Sequence, residues 1–196
     1  PGTVIKFAAG KTLIINGTEC EPYITADDIL MRERADQIIE GTKILRHIIA
    51  PRETLIGVED NKPEGIAALM AAALDSGIEI VVFPTKYPSG GEKQLVEILT
   101  GKQVPSGGLP SQVGVVCQNV GTTVAIYEAV VQGRPLISRV TTVTGDSLRE
   151  PQNFQVLIGT PMRYLLEQAG YQAAKNNRLI MGGPMMGFTV PDAGVP

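Results

Sequence analysis

Histidine and cysteine are scarce and tryptophan is missing: one His, two Cys and no Trp stand in 196 residues. Two cysteines, Cys20 and Cys117, cannot build a disulfide framework or a four-thiolate zinc or iron–sulfur site. A single histidine, His47, excludes a multi-histidine metal centre. Long apolar runs are also lacking. The longest, Ile66 to Leu74, is far too short to span a bilayer. No signal peptide opens the chain, so the default compartment is the cytosol with reduced thiols. A start at Pro1 rather than Met suggests a processed or excised piece. Basic charge is not in excess: 17 Lys and Arg against 20 Asp and Glu leave a net charge of −3. That argues against a general nucleic-acid binder, which needs a basic surface to neutralise phosphates.

What is present is hydrophobic residue, at 43%, and an abundance of turn formers, 22 Gly and 14 Pro. The glycines often end an apolar run, which implies many tight turns between short elements. Strands are expected at Thr12–Ile15, Thr54–Val58, Ile80–Phe83 and Val113–Cys117. Helical patterns separate them: Ala26–Ile49 with a break near Asp36, then a helix capped by Asn61 and ended by Gly77, then Glu92–Thr100 and Thr122–Gln132. Thr25 is the expected N-cap of the first helix, with Asp28 three residues on. Continuous apolar strands between helices predict a Rossmann-like parallel sheet covered on both faces.

The pattern changes after Gly133-Arg134-Pro135. Ile137 to Val143 alternates with period two, the mark of a half-buried antiparallel strand. Phe154–Ile158 reads as the returning strand, Thr160-Pro161 opens a helix that Gly170 ends, and Arg178–Met181 is a last strand. The fold class is therefore α/β over 1–133, followed by a small α+β unit over 134–196.

Ligands of an open parallel sheet bind beyond the carboxyl ends of its strands. Four polar loops follow the four strands: Asn16–Tyr23, Glu59–Asn61, Pro84–Glu92 and Gln118–Thr123. Their amides, glycines, hydroxyls and carboxylates suit a planar heterocycle bearing ribityl or ribose hydroxyls and a phosphate. Gly90-Gly91 opens a helix and lets backbone N–H groups approach an anion. Each loop has a plainer reading, since Asn and Gly are ordinary turn residues. Glu19 and Glu21 fit an acid–base pair, solvated side chains or a cap on the following helix. Cys20 and Cys117 read as small buried hydrophobes rather than nucleophiles. His47, late in a helix, reads as an exposed or dipole-stabilised residue, and Met181, Met185 and Met186 as packing residues.

Several strings resemble the C subunit of the Rnf electron transport complex. They are Asn16 to Pro22 (N-G-T-E-C-E-P) with Tyr23 to Asp28, Gly57 to Pro63, Pro84 to Leu95, Thr100 to Pro105, and Met181 to Phe188. The match runs over essentially the whole chain and extends, more distantly, to the flavin-bearing subunit of respiratory complex I. The resemblance implies an NADH/FMN-binding domain over 1–133 and a β-grasp domain of the soluble-ligand-binding type over 134–196. It implies Asn16 at the isoalloxazine edge with Glu19 nearby, Glu21 near nicotinamide or flavin, and Asn119 with Thr122 on phosphate or ribityl oxygens. Tyr87, Gly90, Gly91 and Glu92 take the place of a tyrosine–glycine–glutamate segment facing flavin and NADH. Thr18 stands where the complex I protein has an acidic residue, so that contact does not carry over.

The activity implied is electron transfer between NAD(H), FMN and iron–sulfur clusters outside this chain. No residue acts as catalytic acid or base, because the cofactors carry the chemistry, and no residue here ligates a metal. Two [4Fe–4S] clusters are implied for the full-length chain only. The partners implied are NADH and the other Rnf subunits, with no nucleic acid and no direct membrane span. The location implied is peripheral, on the cytoplasmic face of the bacterial inner membrane. Thr3 and Lys6 fit the family's T-x-x-K, while its Gly-rich flavin loop lies upstream of Pro1. FMN binding by this chain alone is therefore expected to be weak or absent. Competing readings are a flavin-dependent cobalamin reductase of the same family and a non-catalytic docking module for partner subunits.

Overall fold

The computed structural model describes residues 12–173 and 178–190. Thr3 and Lys6 lie outside them. The chain divides into two compact units. The first comprises the described residues through Cys20 and Asp27–Pro135, and the second Glu21–Ala26 with the described residues from Leu136 onward.

The first unit is built on four parallel strands: β1 (Thr12–Asn16), β2 (Glu53–Glu59), β3 (Glu79–Phe83) and β4 (Val115–Asn119). They lie in the order β3-β2-β1-β4. Connecting them are α1 (Ala26–Glu33), α2 (Ala35–Ile49), α3 (Pro63–Ala72), α4 (Glu92–Thr100) and a short 3-10 turn at Pro110–Val113; α5 (Val120–Gln132) follows β4. Apolar alternation explains the layers. Ile14 clusters with Leu95 and Val96 of α4, Phe83 and Val115. Leu13 and Ile15, fully buried, point to the opposite face, where α2 and α5 contact β1. Both faces of the sheet are thus covered, as continuous apolar strands require. Gly57 lets α4 settle on β2: a Cβ there would meet the Leu95 and Leu99 methyls at 3.0 Å each.

In the second unit β5 (Ser138–Val143) and β6 (Gln152–Leu157) form an antiparallel ribbon. The helix α6 (Met162–Gln168) follows, and β7 (Leu179–Met181) pairs antiparallel with β8 (Phe188–Val190). The segment Glu21–Ala26 is tied to this ribbon. Thr25 N–H donates to Thr142 Oγ1 at 3.0 Å, and Asn153 Nδ2 donates to Thr25 Oγ1 at 2.9 Å.

The first long helix does break near Asp36, at Arg34, where φ −131 leaves the helical region. Several local expectations need correction. Thr25 does not cap α1, because the N–H groups of Asp27 and Asp28 go to the Glu19 carboxylate instead. The residue before α3 is Lys62, not Asn61, and it makes no side-chain cap. The fourth strand starts at Val115, since Val113 closes the 3-10 turn and Gly114 follows at φ 76. The last helix of the first unit starts at Val120, two residues early, because Asn119 caps it. By contrast, α4 spans Glu92–Thr100 with Gly101 left-handed at φ 68, as its flanking glycines predict.

Candidate functional site

The strand order dictates where a ligand would sit. From β1 the chain adds β2 and β3 on one side, then returns to place β4 on the other. The loops leaving β1 and β4 therefore diverge at a topological switch point, the usual ligand crevice of open α/β sheets. The two strands end in register on Asn16 and Asn119.

Asn16 is bonded mostly to its own unit. Its Oδ1 accepts the Thr18 N–H at 3.0 Å and the Thr18 hydroxyl at 2.6 Å, filling both lone pairs. Its Nδ2 donates to the Gly90 carbonyl at 3.1 Å, joining the β1 loop to the glycine pair before α4. Gly90 is required there, since a Cβ would strike the Thr18 hydroxyl and lie 2.8 Å from Cys20 Cβ. Gly91 is the N-cap of α4 and donates to Pro88 O at 2.8 Å. Glu92 starts the helix, exposed, and Tyr87 is 45% exposed in the same loop. Asp60 anchors that loop by accepting the Thr85 hydroxyl at 2.7 Å and the Thr85 N–H at 2.9 Å. These two bonds hold the Asp60 carboxyl below its ordinary range.

Glu19, at φ 47, caps α1. Its two carboxylate oxygens accept the N–H groups of Asp27 at 2.6 Å and Asp28 at 3.0 Å. Burial, reinforced by the Asp27 charge, outweighs these bonds and the nearby Lys62 ammonium, pushing the Glu19 carboxyl up to about 7. Asn119 extends the same network. Its Oδ1 accepts the Gly121 N–H at 2.7 Å, and its Nδ2 donates to Asp27 Oδ2 at 2.6 Å. Asn119 is exposed, and one lone pair and one N–H of its amide remain for a ligand. Thr122 is half-buried in the first turn of α5.

Asn16, Glu19, Gly90 and Asn119 are thus joined through Thr18 and Asp27, with Tyr87 and Gly91 on the loop before α4, Glu92 at the start of α4 and Thr122 in the first turn of α5. Glu21 is not in this network. It belongs to the second unit, where its Oε2 accepts the Met185 N–H at 3.0 Å. Its Oε1 is buried without a donor among the described residues.

Sequence reasoning missed Asp27 and the buried pair Glu59–Lys62. Lys62 Nζ donates to Thr18 O at 2.8 Å and Asn61 Oδ1 at 3.0 Å, and lies 3.6 Å from Glu59 Oε2. The available signal was a Glu and a Lys three residues apart, at the end of a buried strand. Among the described residues no helix is long and apolar enough to cross a membrane, and no group of three or more His, Cys, Asp or Glu could hold a metal ion.

A parallel α/β domain with a polar switch point, followed by a small antiparallel α+β unit, is the class the geometry defines. Comparison with known proteins narrows it. The model of the Nuo51 FMN-binding domain family matches residues 3–128, and that of the SLBB domain matches residues 140–189. The chain belongs to the Nuo51 FMN-binding domain family. It is 57% identical over 185 residues to the C subunit of the ion-translocating oxidoreductase complex of Pseudomonas aeruginosa, covering 94% of this chain and 24% of that protein. It is 60% identical over 187 residues to the protein of the same name from Vibrio cholerae, covering 95% of this chain and 24% of that one. These relatives bear out the resemblance carried by the motifs. The chain spans about a quarter of the length of these curated relatives. The fold is shared with an air-oxidized NAD+-reducing [NiFe]-hydrogenase, at TM-score 0.72 and 20% identity, covering 95% of this chain and 39% of that one.

Proposed function

We propose that the chain is the FMN-binding electron-transfer part of a C-type subunit of an ion-translocating ferredoxin:NAD oxidoreductase complex. The observation that carries the reading is the register pair Asn16–Asn119 at the switch point, surrounded by donors and acceptors of the right kind. The residues fit a flavin unequally. Asn119 has an exposed amide with capacity left; Tyr87 is exposed on the neighbouring loop and Glu92 is exposed at the start of α4. They can meet ring edges or ribityl hydroxyls. Asn16 and Glu19 act by holding the loops, since their oxygens are taken by Thr18, Asp27 and Asp28.

FMN, when bound, supplies two-electron exchange with NAD(H) and one-electron exchange with iron–sulfur clusters. The chain's part is to bind it, orient it and limit water. The other proteins of the complex are the partners, and NADH is the electron donor or product. The location is peripheral, at the cytoplasmic face of the membrane.

The test is FMN titration, by fluorescence quenching, of a chain extended to the length of the relatives. Binding that weakens by about 1–3 kcal/mol in Asn119→Ala supports the reading. No flavin binding by the extended parent, or unchanged affinity in both Asn119→Ala and Asn16→Ala, discards it.

A further inference from the structure

Glu59 and Lys62 are a charged pair at the carboxyl end of β2, 2% and 7% exposed in their side chains. Burying two charges is costly unless pairing and hydrogen bonds compensate. Here the compensation reaches beyond the pair itself. The Lys62 ammonium has three protons. One reaches the carbonyl of Thr18, itself 1% exposed, and one reaches Asn61 Oδ1. The third is left for Glu59, 3.6 Å away. The N–H and hydroxyl of Thr18 both go to Asn16, so every polar atom of Thr18 is fixed. The next residue, Glu19, takes a left-handed backbone at φ 47, which a non-glycine residue adopts only when its surroundings impose it.

We infer that Lys62, neutralised by Glu59, is a positioning residue of the candidate flavin site. Its ammonium holds the Thr18 carbonyl and thereby sets how the Asn16 amide and the Glu19 carboxylate are presented and charged. The inference deepens the flavin reading and rests on it. The charged groups around Glu19 are Asp27 and Asp28 of α1 and Lys62 ahead of α3, with Glu59 of β2 paired to Lys62. Lys62 favours the ionised form of Glu19 against burial and Asp27.

Two measurements test this. The first is the titration of the Glu19 carboxyl by carbon-13 NMR in the chain without flavin. Lys62→Met is expected to raise the Glu19 midpoint by about half a pH unit or more, and Glu59→Gln to lower it. Lys62→Arg, which keeps the charge, should stay close to the parent. A purely structural role would shift Lys62→Met and Glu59→Gln alike or not at all, and either result overturns the inference. If Lys62→Met does not fold, Glu59→Gln and Lys62→Arg still decide it.

The second measurement is FMN affinity in the extended chain. Lys62→Met should weaken binding about tenfold, with recovery in Lys62→Arg. An extended parent that binds FMN while Lys62→Met binds it equally well also overturns the inference. An extended parent that binds no FMN speaks against the flavin reading itself, and the Glu19 titration then decides the role of Lys62.

Discussion

Gly41 of α2 lies so close to Thr123 of α5 that a Cβ on Gly41 would land on the Thr123 carbonyl oxygen. Both residues are buried, and backbone is the obstacle, so no side-chain rotation relieves the clash. Gly41→Ala is expected to push α5 away from α2 and cost about 1–3 kcal/mol. Urea denaturation should show a lower midpoint with an unchanged slope. An unaltered midpoint would mean that the two helices separate without loss.

The Glu19 carboxyl gives the fold a pH dependence of definite sign. Its value in the folded chain is about 7 against 4.5 unperturbed. Between those values the folded chain keeps a proton that the unfolded chain has released. Stability therefore falls as pH rises through that window, by roughly 3 kcal/mol in all. Glu19→Gln should lack this fall, although it gives up one of the two bonds to α1. The difference between parent and Glu19→Gln in urea midpoint, taken at pH 5 and again above pH 7, isolates the residue. Parallel pH profiles for the two proteins would contradict the assignment.

The parts of the fold governed by local pattern were readable in the sequence. Thr12–Ile15 is a continuous apolar run and forms the centre of a parallel sheet. Glu92–Thr100 is bracketed by glycines and forms the helix those glycines predict. The site was readable only as a set of loops. The cap on α1 comes from Glu19, eight residues before its partner Asp27, a separation with no helix or strand period. Lys62 looks like a surface charge until its bond to the Thr18 carbonyl, 44 residues away, is seen. The three-residue strand β8 (Phe188–Val190) is too short to carry alternation, and it exists through pairing with β7.

Cys117 is expected to be inert in the folded chain. Burial, together with the Glu92 carboxylate, pushes its thiol up to about 12. The thiolate is the reacting form, so alkylation at pH 8 should be negligible until the core opens. Mass spectrometry after iodoacetamide treatment should find Cys117 unmodified in native buffer and fully modified in denaturant. Stoichiometric labelling under native conditions would contradict a raised thiol at Cys117, which is half-buried against the cluster of Ile14, Phe83, Leu95, Val96 and Val115.

Gly183 has a φ of 98, a left-handed backbone that favours glycine strongly. A Cβ there would run into the Glu21 carboxylate, striking Oε2 and lying 2.7 Å from Cδ and 3.0 Å from Cγ. That same Oε2 accepts the Met185 N–H at 3.0 Å. Gly183→Ala therefore carries two penalties, a strained backbone and a displaced acceptor, together about 2 kcal/mol. The damage should be local. Hydrogen exchange at the Met185 amide should accelerate, while amides of β1 and β2 keep their protection, because those strands belong to the other unit. Glu21→Gln leaves an acceptor oxygen in place and should speed Met185 exchange less than Gly183→Ala does. Equal protection of Met185 in the parent and in Gly183→Ala would show that the Glu21 carboxylate does not hold this loop.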